Sequence, residues 1–367
     1  MKLLLYRNTH TNSFPHVVAL LGCLFLLFQQ SVSAQNPSWQ SAVSVSNPLS
    51  ATSAATTIAA STYDNNGHLF VTGSFNYEVT FPTTTGNTTL NGTPDGNSAM
   101  FVGKWDLAAS KWIWVTSANN VGSVGIAVSG SNVYVSGSFG LTSAIIAGVT
   151  LTNAGTSGSD IFLAKYVDNG NSVSNGWAIS AGGTSTNETG YAVAASGSSV
   201  YLTGRFSGTA TIAGSQFTSN GGSDIFLAKY TDNGTSVSSN WATAAGGSAN
   251  DVVRAITLNG SSIYIGGTFV NSMALNGSTL TSSSTTDVDV FVAKFTDNGS
   301  SVSGVWATKG GGSGGNDSLF GLTNNGSDIY FTGGIYQNGT VAGTQLSNGY
   351  GSSFNLYLAK VTDAGTS

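Results

Sequence analysis

Short runs in which apolar and polar residues alternate recur along the chain, with glycine, serine and asparagine between them. Alternation with a period of two is typical of β-strands. In the clearest stretch it predicts strands at residues 177–181, 191–195, 200–206 and 224–230. The turn at Gly197 joins the second and third of these strands as a hairpin. We therefore predict four strands and no helix in this stretch.

The same pattern returns five times, with a period of about 64 residues. One marker is a lysine that ends an apolar run such as Asp-Ile-Phe-Leu-Ala-Lys: Lys104, Lys165, Lys229, Lys294 and Lys360. A second marker is a tryptophan that opens an Ala/Thr/Ser-rich stretch: Trp39, Trp114, Trp177, Trp241 and Trp306. A third is the glycine of a Thr-Gly-x-Phe-like step: Gly73, Gly137, Gly204, Gly267 and Gly333. Three markers in one phase indicate five copies of one structural unit.

Four antiparallel strands per repeat favour a propeller blade, because radial repetition leaves only short, protected sheet edges. We predict an all-β fold over residues 35–367, a β-propeller of five four-stranded blades. A strand with Trp39 precedes the first full set, and the last set lacks its tryptophan strand, so we expect the N-terminal strand to complete the last blade. Two alternatives stay open, a parallel β-solenoid and a truncated array that continues into further blades.

The first 34 residues have the pattern of a signal peptide. Lys2 and Arg7 form a positive start, residues 17–28 are apolar, and Val32-Ser33-Ala34 has the small-x-small form that signal peptidases cut. Cleavage near Ala34 predicts a secreted, extracellular or cell-surface protein. The alternative is a lipoprotein in which Cys23 is acylated and retained.

Composition and charge exclude several classes of protein. Cys23 is the only cysteine, so the mature chain has no disulfide. Removal of Lys2 and Arg7 leaves nine basic residues against 16 acidic ones, a net charge of −7. A nucleic-acid-binding protein would carry a basic patch, and no second apolar stretch is long enough to span a membrane. We predict neither nucleic acid nor membrane as a partner of the mature chain.

The residues from Trp39 to Gly365 resemble the bacterial β-propeller repeat called SBBP. The resemblance rests on Gly-Gly followed by an acidic residue, on Val-Tyr-Leu-Thr-Gly, on Asp-Ile-Phe-Leu-Ala-Lys and on Asp-Asn-Gly. Phe81-Pro82-Thr83 is also similar to a segment of that repeat. The resemblance implies a multi-bladed propeller of exported bacterial proteins, many of them from the Bacteroidetes, a family with no single established activity.

Repetition separates structural residues from catalytic ones. A residue repeated in every blade stands around a ring at one radius, whereas an active site needs unlike groups that converge on one centre. We therefore interpret the repeated lysines, tryptophans and glycines as structural. Asp160, Asp224 and Asp289 begin the strand that each lysine ends. Exposed tryptophan rings would instead make a multivalent, lectin-like carbohydrate binder.

Candidates for catalysis or metal binding are few. His68 is the only histidine after cleavage, and a single histidine builds no zinc site. Glu78 and Glu188 are the only glutamates, and they leave open a glycoside hydrolase with two carboxylates. Asp168, Asp232 and Asp297 begin Asp-Asn-Gly turns, which need no calcium. We predict no enzyme, cofactor or metal site, and a binding, adhesion or structural module with a glycan or protein ligand.

Overall fold

The computed structural model describes residues 55–365, apart from 94, 141, 156–157, 185–187 and 348–353. The described chain folds into several β-sheets and has no helix, which confirms the predicted all-β class. It follows that these ranges hold no helix long and apolar enough to cross a membrane. The predicted signal peptide and the strand with Trp39 lie outside the described residues.

The strands fall into five consecutive units. The first unit comprises β1 (Thr56–Tyr63), β2 (His68–Phe75), β3 (Glu78–Thr83), β4 (Gly86–Asn91), β5 (Ala99–Asp106) and β6 (Lys111–Asn119). The second comprises β7 (Val121–Ser129), β8 (Asn132–Phe139), β9 (Ser143–Ile146), β10 (Val149–Thr152), β11 (Asp160–Asp168) and β12 (Val173–Gly183). The third comprises β13 (Thr189–Ser196), β14 (Ser199–Ile212), β15 (Ser215–Asp232) and β16 (Val237–Gly247). The fourth comprises β17 (Val252–Asn259), β18 (Ser262–Val270), β19 (Ser272–Leu275), β20 (Ser278–Thr281), β21 (Val288–Asp297) and β22 (Val302–Gly310). The fifth comprises β23 (Ser318–Asn325), β24 (Asp328–Tyr336), β25 (Gly339–Val341), β26 (Thr344–Leu346) and β27 (Phe354–Thr362).

The main strands of each unit pair in antiparallel fashion, and we call them A, B, C and D in chain order. Pairing of β14 with β12 and of β19 with β16 joins strands of the second and third units with β19 and β20 of the fourth into one ten-stranded sheet. The A strands are β1, β7, β13, β17 and β23; the B strands are β2, β8, β14, β18 and β24; the C strands are β5, β11, β15, β21 and β27. The D strands, which carry the repeated tryptophans, are β6, β12, β16 and β22. Strand A pairs with B, B with C and C with D. Within the described ranges the fifth unit has no D strand, and β27 pairs only with β24.

Four hydrophobic cores lie between consecutive units, and a further core, which includes Phe81, Phe101 and Trp112, is formed by the first unit alone. One core joins Tyr134 and Ile161 of the second unit to Leu202 and Phe226 of the third. The neighbouring cores join the first unit to the second, the third to the fourth and the fourth to the fifth in the same way. A central strand covered on both faces needs an almost continuous apolar run. This explains why the C strands carry runs such as Ile-Phe-Leu-Ala.

The polar excursion between strands B and C is a hairpin, which the sequence interpretation missed. We call it the side hairpin; in the third unit it continues β14 and β15 without a break. In the second unit Ala147 and Gly148 form its turn, with φ angles of 46° and 75°. Two successive positive φ angles are the signature of a type I′ hairpin turn. The turn recurs at Ala213, Asn276 and Ala342, each followed by glycine.

Candidate functional site

Each repeated lysine in the first four units binds an aspartate of the next unit. Lys165 Nζ lies 2.7 Å from Asp232 Oδ2 and 2.9 Å from the Gly234 carbonyl oxygen. Trp177 Nε1 donates to Asp232 Oδ1 at 2.9 Å, and the Tyr134 hydroxyl donates to Asp232 Oδ2 at 2.7 Å. Burial alone would raise the pKa of Asp232, but these donors lower it. We call this arrangement the lysine–tryptophan clasp.

The clasp is repeated at three further junctions. It joins Lys104 and Trp114 to Asp168, then Lys229, Trp241 and Tyr201 to Asp297, and finally Lys294, Trp306 and Tyr264 to Asp363. In the first of these Phe70 occupies the place of the tyrosine, and the centre of its ring lies 5.7 Å from Lys104 Nζ. The fifth lysine differs, because Lys360 pairs with Asp328 of its own unit and its side chain is 50% exposed.

The Asp-Asn-Gly turns therefore supply three of the four clasp carboxylates, and the fourth, Asp363, begins an Asp-Ala-Gly turn. We interpreted their aspartates as turn residues, and the backbone N–H of Gly234 does bond Asp232 Oδ1 at 2.9 Å. The second role, as partner of a lysine one unit earlier, was missed. A signal existed, because the lysine and the aspartate recur with the same period. Each lysine lies close to an aspartate of its own unit along the chain, which hides the partner one repeat away.

The repeated glycines lie where two backbones approach closely. A Cβ at Gly204 would collide with the carbonyl oxygen of Thr189 on the neighbouring A strand. Gly73, Gly137, Gly267 and Gly333 meet an equivalent carbonyl. The Gly-Gly step at the end of strand D lies where that strand contacts the side hairpin of the next unit. A Cβ at Gly247 would collide there with the carbonyl oxygen of Ser272.

Buried carboxylates lie at the end of the sheets opposite to the clasps, where the C strands begin. Asp160, Asp224 and Asp289 begin C strands and are buried, and burial raises the pKa of all three. Glu188, Asp251 and Asp317 precede the A strands of the next units. Burial raises the pKa to about 7 for Glu188, about 7 for Asp251 and about 6 for Asp317.

These acids also connect the units. Asp251 accepts the backbone N–H groups of Gly247 at 2.8 Å and Val270 at 3.4 Å, and Asp317 is bonded in the same way. Glu188 is fully buried, and neither of its carboxylate oxygens has a hydrogen-bond partner. No group of three or more His, Cys, Asp or Glu side chains suited to a metal ion occurs among the described residues.

The remaining sequence candidates do not come together. Glu78 lies on β3 in the side hairpin of the first unit, whereas Glu188 is buried ahead of β13. His68 begins β2, and its Nδ1 lies 2.8 Å from Asp64 Oδ2. Trp114, Trp177 and Trp241 are buried, so their ring faces are closed to a sugar. Trp39 lies outside the described residues.

One cavity of about 710 Å³ is lined by the A strands of all five units. Its lining comes from residues 59–61, 124–126, 191–193, 254–256 and 316–322, with a small contribution from β18 and β21. Its volume lies within the usual range of small-molecule sites, about 300–1,000 Å³. The cavity is the place where residues from every unit meet.

A β-bulge places one extra residue of each A strand at this cavity. The A–B register shifts at the same step in all five units, and the five extra residues, which we call the bulge positions, are Ala59, Val124, Tyr191, Arg254 and Phe320. The residue that follows each of them is alanine or glycine. Bulges re-aim side chains and are common beside functional sites. The positions repeat while their chemistry does not, so side chains that differ from unit to unit come together at this cavity.

Two arginines meet at Tyr191. The Arg254 guanidinium carbon lies 4.9 Å from the centre of the Tyr191 ring, and that of Arg205 lies 5.8 Å from it. Neither arginine forms an ion pair with a described carboxylate, whereas every described lysine except Lys111 does. Arg205 Nε is buried and has no hydrogen-bond partner. Two uncompensated cations thus lie beside one aromatic ring at the cavity.

Comparison with protein-family models and with curated protein sequences finds no match to this chain.

Proposed function

We propose that the five units are the blades of a β-propeller and that the protein is an exported binding module whose ligand enters the cavity between the A strands. The observation that carries the proposal is that all five A strands, one from each unit, line a single cavity. Clasps of the same kind join consecutive units at four junctions. Such junctions would relate each unit to the next by a similar rotation, as the blades of a propeller are related. The resemblance to the bacterial propeller repeat points to the same architecture.

We propose further that residues 35–46 close the ring. Val290 and Val292 are buried against the fifth unit, whereas their counterparts Leu356 and Leu358 on β27 are 80% and 74% exposed, so no described unit covers this face of the fifth unit. The edge of β27 that a D strand would occupy has no partner among the described strands. A strand with Trp39 at this edge would supply the missing D strand and a tryptophan beside Lys360. The alternative is a longer array in which a further blade covers β27.

The proposed function includes no catalysis. Glu78 and Glu188 do not line the cavity, and Glu188 is buried away from solvent. A carboxylate pair that flanks a glycosidic bond must reach the substrate. We expect no turnover of polysaccharides or aryl glycosides by the purified mature protein. An activity that disappears in Glu78→Gln or Glu188→Gln would contradict this.

Filling the cavity tests the binding site. Val124→Trp and Ala59→Trp place large rings at two bulge positions, while Ile145→Trp places the same ring on an exposed side-hairpin position and serves as the control. On an array of glycans, we expect the ligands bound by the wild type to be retained by Ile145→Trp and lost by the double cavity variant. Unchanged binding by the cavity variant would move the site elsewhere, and no binding to glycans or to extracellular proteins would favour a structural module without a ligand.

A further inference from the structure

The five bulge positions divide the cavity into two unlike halves. Tyr191, Arg254 and Phe320 belong to three consecutive A strands, β13, β17 and β23. The other two A strands contribute Ala59 and Val124 at the same position. Large side chains with aromatic and cationic groups therefore occupy one side, and small apolar ones leave room on the other. A ligand would bind in one orientation, against the side that carries the chemistry.

The arginines on that side are prepared for an anion. A guanidinium binds a carboxylate through two parallel N–H···O bonds. The cation–π contact with Tyr191 holds Arg254 in place, and its guanidinium makes no hydrogen bond or ion pair with another described residue. The one carboxylate among the described lining residues, Asp317, is occupied by the backbone N–H groups of Gly312 and Tyr336.

Phe320 offers the second feature of the site. Its side chain is 64% exposed at the cavity, on the A strand next to that of Arg254. An aromatic ring that is accessible at a cavity can bury its face against a flat apolar surface of a ligand. The C–H face of a pyranose ring is such a surface. Phe320 and Arg254 together fit a sugar ring that carries a carboxylate.

A peptide fits the cavity less well. Peptides that bind along a sheet add a strand to a regular free edge. Here a bulge interrupts every A strand at the cavity, which breaks the regular spacing of backbone donors and acceptors. A compact ligand held by side chains is therefore favoured over an extended chain.

We propose that the cavity binds a uronic-acid saccharide, with Arg254 on the carboxylate, Arg205 supporting it through Tyr191, and Phe320 stacked on the sugar ring. This inference rests on the proposed binding function and names the ligand class for the same site. Nothing in it depends on whether residues 35–46 close the ring.

Titration calorimetry with trigalacturonic acid, its methyl ester and maltotriose tests the inference. We expect trigalacturonic acid to bind, the neutral saccharides to bind at least about tenfold more weakly, and added salt to weaken the acid selectively. Arg254→Gln should weaken binding of the acid about tenfold or more. Arg254→Lys should retain part of the affinity, because the lysine keeps the positive charge but cannot form two parallel hydrogen bonds to the carboxylate. Phe320→Ala should also weaken binding of the acid. Lys111→Gln removes an exposed cation outside the cavity and should change nothing.

The outcomes separate the two proposals. Equal binding of the acid and its methyl ester, or an unchanged affinity in Arg254→Gln, overturns the uronic-acid inference; if Val124→Trp still abolishes that binding, the cavity remains the binding site. Hexaglutamate is titrated as an acidic peptide for comparison, and tighter binding of hexaglutamate than of trigalacturonic acid also overturns the inference. Binding that is insensitive to both Arg254→Gln and Val124→Trp overturns both proposals.

Discussion

The lysine–tryptophan clasp shows how one carboxylate connects three side chains. Asp297 accepts from Lys229, Trp241 and Tyr201, and the lysine and aspartate side chains are each 9% exposed. Such a buried pair is costly to desolvate, so its intact form contributes little compared with a well-packed apolar pair. Removal of one partner is different, because it leaves an unbalanced charge in the junction.

We predict that Lys229→Ala lowers the free energy of unfolding by about 3 kcal/mol, since it leaves the Asp297 carboxylate buried without its cation. Lys360→Ala is the matched control: the residue has the same place in the repeat but is half exposed and outside any clasp, so we expect a loss below about 1 kcal/mol. Urea unfolding of the two variants gives both numbers. Equal losses in the free energy of unfolding would show that the clasp of Lys229 does not stabilise the protein.

Residues that repeat could be predicted from the sequence, and the residues that vary could not. The lysine, tryptophan and glycine markers gave the unit and its strands; for example, the strand predicted at 177–181 lies within β12 (Val173–Gly183). The candidate site was missed because Ala59, Val124, Tyr191, Arg254 and Phe320 share a backbone position but no side-chain chemistry. A search for repetition discards such positions by construction. Four of them lie six residues before the glycine of their A–B turn, but only the register of the A–B pairs shows that they are bulged.

Among the elements, the side hairpin was hidden by its composition. Its strands are as short as three or four residues and rich in serine and threonine, which resembles a loop. The usable signal was the small-Gly step at each tip, such as Ala147-Gly148, flanked by alternating apolar residues. Its function in the fold is visible only in three dimensions, where it pairs with the end of the preceding D strand.

Gly247 tests this contact between elements. We predict that Gly247→Ala destabilises the protein by about 1–3 kcal/mol, because the new methyl group collides with the Ser272 backbone and forces β16 and β19 apart. Gly122→Ala is the control, since Gly122 lies on β7 and a Cβ there would meet no atom within 4 Å. Thermal unfolding compares the two. A loss that is the same for both would mean that strand propensity, not the close approach, sets the effect.

For the whole molecule, the buried acids predict an unusual dependence of stability on pH. Glu188, Asp251 and Asp317 have raised pKa values of about 7, 7 and 6 when folded, against 4.5, 3.8 and 3.8 for the free groups. The folded state therefore binds more protons between about pH 4 and 7, and the free energy of unfolding falls as pH rises through that range. The charged groups that act on them are Asp160 for Glu188, Asp224 for Asp251, and Asp289 and Asp287 for Asp317. Asp289 in turn pairs with Lys309.

We predict a higher urea midpoint at pH 5 than at pH 7.5, and a second decline below about pH 4. That decline follows from the clasps, whose donors hold the pKa of Asp363 at about 2 although burial opposes them. The triple variant Glu188→Gln, Asp251→Asn, Asp317→Asn should flatten the slope between pH 5 and 7.5. A midpoint that rises with pH over this interval would contradict the assignment.

The proposed closure of the ring by residues 35–46 is tested at the scale of the whole molecule. We predict that deleting residues 35–46 from the chain that begins at Gln35 lowers the melting temperature and exposes β27 to proteases, because the free edge of β27 would lose the strand proposed to pair with it. Replacing Trp39 by alanine should have a smaller effect in the same direction. Unchanged melting and protease resistance would favour an array that continues into further blades.

The five bulge positions separate recognition from stability. They lie at the cavity, whereas the clasps, the side hairpins and the cores are built from other residues, so a new side chain at a bulge position leaves those contacts in place. A change at Tyr191 or Arg254 removes the contact between these two side chains of the third and fourth units. Evolution or protein engineering can then change the side chains of the cavity one unit at a time while the fold stays the same. A combinatorial library restricted to Ala59, Val124, Tyr191, Arg254 and Phe320 would sample new ligand specificities with few unfolded members.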